Sequence, residues 1–131
     1  DVGGGRDRPA AERFGVMREL LTGKPRRMIL NTGKVEEVVY FDRLICCEAD
    51  GHCTKFYISD RSKPLITATN LGEYMGALEL HGFIRAHHSW AINEAHIIRY
   101  HHETNKLEMS DGTKVPLGRV YKDAVLKQLR G

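Results

Sequence analysis

The stretch Phe83-Ile84-Arg85-Ala86-His87-His88-Ser89-Trp90-Ala91-Ile92-Asn93 gathers the side chains best suited to chemistry in this chain. A guanidinium, two imidazoles and a hydroxyl around one loop make poor core material. They suit the grip of an anion or of a base edge, because each can donate hydrogen bonds. Arg119, farther along, adds a planar fork of donors matched to guanine O6 and N7. The competing reading of Arg119 is a surface ion pair, worth ~0–1 kcal/mol. Thr54 and Lys55 follow the turn at Asp50-Gly51, and Lys55 offers a point charge to a phosphate or is simply a solvated strand lysine. Lys122, near the start of the last helical segment, is a weaker phosphate candidate.

Within the same stretch the side chains have different expected duties. His88 can donate to a base acceptor or to a phosphate oxygen. Ser89 can reach a phosphate or tie its own loop. Arg85 is divided between a phosphate contact and an internal ion pair. Asn93 is expected to bond the adjoining turn rather than a ligand.

A rival chemistry comes from sulfur and imidazole. Cys46, Cys47, Cys53, His52, His87, His88, His101 and His102 are many soft ligands for a small domain. No Cys-x-x-Cys or His-x-x-x-His spacing is present, and adjacent residues of a strand point apart, so Cys46 and Cys47 cannot chelate one ion. An odd number of cysteines without paired spacing also argues against a disulfide scaffold and for free thiols in a reducing cytosol. A metal- or redox-responsive His/Cys β module therefore stands as an alternative, beside a protein-interaction β domain. An enzyme is not expected: there is no Gly-x-Ser-x-Gly, no complete Walker loop and no evident acid–base carboxylate pair.

The elements that must position these residues read as mostly β. Met28–Leu30 is closed by the turn Asn31-Thr32-Gly33-Lys34, and Val35–Tyr40 follows. Leu44–Glu48 and Cys53–Ile58 flank Asp50-Gly51, a hairpin signal. Leu65–Ala68 is a further strand. One central helix starts at Asn70, with Glu73 placed to complete a capping box, and stops at Gly82. Phe83–Ala86, Ala91–Asn93, Ile97–His101, Lys106–Met109 and Val115–Leu117 are short strands, the last two joined at Asp111-Gly112. A short C-terminal helix spans Val120–Leu129, with Tyr121, Val125 and Leu129 on one side. Residues 1–25 read as a linker or tail: a glycine-rich opening, then a short amphipathic helix carrying Phe14, Met17, Leu20 and Leu21.

At 131 residues the chain suits one domain with a real core. No apolar run reaches the ~18–20 residues of a membrane span and no signal pattern opens the chain, which predicts a cytoplasmic protein. The net charge of +3 is small but unevenly spread. Residues 1–34 carry eight Lys/Arg against four Asp/Glu, residues 35–80 four against eight, and residues 81–131 eight against five. Two basic sectors around an acidic one fit a molecule with one positive face.

From about Arg27 to Leu129 the motifs and their order resemble the LytTR-type DNA-binding domain, the output module of many bacterial response regulators. Asp42-Arg43-Leu44-Ile45 with Glu48-Ala49-Asp50-Gly51-His52-Cys53-Thr54 is similar to the family's Glu-Ala-x-Gly-Asn-Tyr-Thr strand and loop. Thr69-Asn70-Leu71 with Leu78 is similar to its helix start, and Gly82–Asn93 to its Phe-x-Arg-x-His-x-Ser-x-x-x-Asn segment. Met109-Ser110-Asp111-Gly112, Val115-Pro116, Arg119 and Tyr121 resemble its closing hairpin and Ser-Arg-x-Tyr segment. The sequence departs from the pattern at His52-Cys53, at His88 and at Gly118, which stands where a serine often precedes the arginine.

The resemblance implies an elongated arrangement of short antiparallel sheets over residues 26–131. It implies that loops, not a recognition helix, enter successive major grooves of double-stranded DNA. It makes Thr54, Lys55, Arg85, His88, Ser89, Arg119 and Lys122 the expected DNA-binding residues and leaves His87 facing inward. It implies sequence-specific binding to repeated half-sites, with a receiver or sensor domain outside this chain. No cofactor, metal or small-molecule substrate is expected.

Overall fold

In the computed structural model, which describes residues 26–131, turn-forming residues decide where the chain reverses. The amphipathic helix expected within residues 1–25 lies outside the described residues. β1 (Arg27–Asn31) and β2 (Glu36–Tyr40) pair antiparallel around Asn31–Lys34. The Asn31 carboxamide accepts from the Gly33 amide at 2.8 Å, and Gly33 takes a φ of +96°, a left-handed value that glycine adopts without steric cost. After a 3-10 turn at Phe41–Arg43 come β3 (Leu44–Asp50), β4 (Cys53–Ile58) and β5 (Leu65–Thr67).

The central helix, α1 (Met75–Glu79), is entered through a 3-10 turn at Leu71–Tyr74. Asn70 caps that turn, its side chain accepting from the Glu73 amide at 3.2 Å. α1 is thus shorter than the continuous helix expected from Asn70 to Gly82. β6 (Phe83–His87), β7 (Trp90–Asn93), β8 (Ile97–His101), β9 (Lys106–Met109) and β10 (Lys114–Pro116) follow, then α2 (Lys122–Arg130). α2 starts two residues later than its apolar pattern suggests. Arg119 and Val120 are instead the centre of a turn in which the Tyr121 amide donates to the Gly118 carbonyl at 3.0 Å.

The architecture is mostly β, with three antiparallel sheets among the described residues. The middle layer is the five-stranded sheet in the order β5-β4-β3-β7-β6. One of its faces packs Cys47, Phe56, Ile58, Phe83 and Ala91 against Leu30 and Val39 of the first hairpin and against Leu71, Met75 and Leu78 of the helical segment. The other packs Cys46, Ala86 and Ile92 against Leu107, Met109 and Val115 of the three-stranded β10-β9-β8 sheet and against Val125 and Leu126 of α2. Cys46 and Cys47 therefore serve opposite faces, as the strand period requires. A register shift between Leu44 and Cys46 lets Ile45 and Cys46 both serve the second face.

Candidate nucleic-acid interface

Strand register brings the candidate loops to one end of the central sheet. Glu48 of β3 faces both Lys55 of β4 and Trp90 of β7. The β3–β4 turn and the β6–β7 turn consequently leave the sheet on the same side, and the Ala49 amide donates to the Ser89 carbonyl at 2.7 Å. The segment after β10 reaches the same end, where the Gly118 amide donates to the Ala86 carbonyl at 2.8 Å. Backbone bonds thus join the loops around residues 50–55, 88–89 and 118–122 into one surface. His52, His88 and Arg119 are exposed on it, and Lys55, Ser89 and Lys122 are half-buried.

Arg119 has no ion pair with any described residue, so the reading as a surface salt bridge finds no partner there. Lys55 lies 3.6 Å from the Asp50 carboxylate across the hairpin, a loose and solvent-screened pair. Lys122 opens α2, its amide bonded to the Gly118 carbonyl at 2.9 Å.

Two expected contact residues occupy different positions from those anticipated. Thr54 is fully buried, on the same face of β4 as Phe56 and Ile58, and its hydroxyl donates to the Thr69 carbonyl at 2.6 Å. Its hydroxyl braces the sheet edge and is not presented to solvent. Strand parity was the available signal: a residue two places from Phe56 shares its face. Arg85 makes no ion pair with any described residue; its Nε donates to the His87 carbonyl at 3.2 Å and its Nη2 to the His88 carbonyl at 2.8 Å. The guanidinium thereby holds the β6–β7 turn in shape from beneath.

His87 completes that turn by accepting the Ser89 amide on Nδ1 at 3.0 Å, so it faces its own loop while its neighbour His88 faces outward. Asn93 is buried at the far end of β7. It donates to the carbonyls of Phe41 and Leu44 at 3.1 and 2.9 Å and accepts from the Ala95 amide at 3.0 Å.

A further loop joins this end without an evident sequence signal. Asn105, in the β8–β9 turn with a φ of +57°, donates its amide group to the Leu117 carbonyl at 3.2 Å and accepts the Leu117 amide on its own carbonyl at 3.2 Å. The β8–β9 turn, with its exposed residues His102 and Thr104, is thereby tied to the chain that leads into Gly118 and Arg119. The link spans strands distant in sequence, which no local pattern encodes.

The soft ligands do not converge: among the described residues no group of three His, Cys, Asp or Glu could hold a metal ion. Burial pushes the thiols of Cys46 and Cys47 well above their ordinary range, which keeps them protonated and unreactive. Tyr57 is raised by burial and by its hydrogen bond to Glu48, at 2.9 Å, and its ring stacks on Trp90. On the three-stranded sheet, the hydrogen bond from His101 at 2.8 Å holds Glu108 below its ordinary carboxylate range. No helix among the described residues is long and apolar enough to cross a membrane.

Three small antiparallel sheets with two short helices, and loops carrying Lys55, Arg119 and Lys122 at one end of the central sheet, define the class of domain. The sequence matches the family model of the LytTr DNA-binding domain over residues 34–130, and the chain belongs to that family. Its fold is similar to the LytTr DNA-binding domain of a methyl-accepting/DNA response regulator from Bacillus cereus. The two share 25% identity at a TM-score of 0.67, the match covering 81% of this chain and 97% of that one. Comparison with curated proteins gives no match. Family membership assigns the chain DNA binding in transcription regulation.

Proposed function

We propose that the loop end formed by residues 50–55, 88–89 and 118–122 is the DNA-reading surface and that its loops enter the major groove. The observation that carries this reading is the backbone stitching of three loops into one surface that leaves His88 and Arg119 exposed. Arg119 takes guanine through O6 and N7, a bidentate contact that supplies ~1–3 kcal/mol of discrimination. His88 donates to a base edge or phosphate in place of the family's more common residue. Lys55, Ser89 and Lys122 set the register on phosphates. Arg85 and Thr54 act one step back, the first shaping the β6–β7 turn and the second securing β4.

The protein works in the cytoplasm as the output part of a bacterial regulator whose signal is received by a receiver or sensor domain. Two copies lie side by side on repeated half-sites of double-stranded DNA. None of the proposed roles requires a cofactor, a metal, a small-molecule substrate or a catalytic residue.

Selection from random duplex oligonucleotides tests the reading, and an enriched repeated motif is expected. Arg119→Ala should then lose about 10- to 100-fold of the preference for that motif while non-specific binding falls far less. Enrichment of no motif would instead favour a protein-interaction β domain. An unchanged preference in Arg119→Ala would remove Arg119 from the reading surface.

A further inference from the structure

Val120 is 85% exposed, more than any other large apolar side chain among the described residues. A single exposed hydrophobe is ordinary on a protein surface, and Ile98 or Leu80 calls for no explanation. Val120 differs in how it is mounted and in what stands beside it.

Its turn is fixed from both sides. The Gly118 carbonyl receives the amides of Tyr121 and Lys122 at 3.0 and 2.9 Å, and the Gly118 amide is bound to Ala86 at 2.8 Å. Gly118 lies so close to β6 that a methyl added there would stand 3.3 Å from the His87 Cα. Arg119 and Val120 project from this anchored turn as neighbours, both exposed, at the end shared with His88. Valine is stiff at χ1, so holding its two methyls against a ligand costs little rotamer freedom.

The floor of the major groove offers one apolar group, the C5-methyl of thymine. A guanidinium and an isopropyl group side by side match a guanine next to a thymine. We infer that Val120 reads the C5-methyl of a thymine adjacent to the guanine taken by Arg119. The inference rests on the loop end facing DNA, as proposed above, and adds to it the identity of a second base.

The test uses the duplex recovered by selection and replaces each thymine in turn with uracil, which removes only the methyl. Wild-type protein should lose on the order of 3- to 10-fold in affinity at one thymine next to the essential guanine. Val120→Ala should bind the thymine and uracil duplexes equally, whereas Val120→Thr, which keeps one methyl, should retain part of the difference. Circular dichroism melting of both variants should match wild type, since Val120 is 85% exposed and belongs to neither core cluster of the described residues.

Site-specific binding with no sensitivity to uracil at any position would overturn the inference and leave the DNA reading intact. So would full sensitivity persisting in Val120→Ala, because another residue would then hold the methyl. Failure to recover any site would overturn the reading of the loop end itself.

Discussion

Arg85 and Arg119 carry the same head group and have opposite fates. Two N–H groups of Arg85 are committed to the carbonyls of His87 and His88. The guanidinium of Arg119 is exposed and makes no ion pair with any described residue. Composition alone cannot separate them; which arginine faces inward depends on the turn it lies beneath. Asn93 shows the structural extreme. Its carboxamide joins the turn at Phe41–Leu44 to the turn after β7, and the two bonds it donates are buried. Asn93→Ala leaves two carbonyls without that partner, each costing about 1–3 kcal/mol when desolvated. A loss of about 2–4 kcal/mol in urea unfolding is expected. A change below about 0.5 kcal/mol, the range of an ordinary surface substitution, would show that the carboxamide does not staple these turns.

At the level of elements, the hairpins were legible and their assembly was not. Asp50-Gly51 and Asp111-Gly112 mark turns that the structure contains, with Gly51 and Gly112 at φ of +62° and +91°. The helix start at Asn70 was legible from its cap, but the 3-10 geometry of its first turn was not, because capping chemistry is common to both helix types. The apolar pattern places Val120 in the helix, whereas the Tyr121–Gly118 bond sets it in a turn. Thr54 belongs to this scale too, because its hydroxyl ties β4 to the chain leaving β5. Thr54→Val keeps the shape and removes the donor. Equilibrium unfolding should report a loss of about 1–2 kcal/mol, the cost of removing one donor from a half-buried carbonyl. The salt dependence of DNA binding should stay as in wild type, since no phosphate contact is removed. A shallower salt slope with unchanged stability would return Thr54 to the DNA surface.

For the molecule as a whole, a net charge of +3 is too small to hold DNA by bulk attraction, so placement must carry the effect. The folded chain brings Lys55 to the same end as Arg119 and Lys122 although it is far from both in sequence, and at that end Asp50 offsets part of Lys55. Sequence charge counts showed uneven sectors, yet only strand register decides that the turns of β3–β4 and β6–β7 share an end. A phosphate-bound cation releases condensed counterions, and each contact contributes about 0.9 to the slope of log K against log salt. Lys55→Ala should therefore weaken binding to every duplex alike and make that slope shallower by about 1, leaving the preferred motif unchanged. Asp50→Asn gives the complementary result: with its partner neutralised, Lys55 is freer for phosphate, and affinity at low salt should rise with no change of motif. Binding isotherms on the selected and a scrambled duplex between 50 and 200 mM salt separate these outcomes. If Lys55→Ala altered the motif instead of the slope, the lysine would be reading bases. If it altered neither, the β3–β4 turn would lie off the DNA, and the loops that share an end of the sheet would not share a ligand.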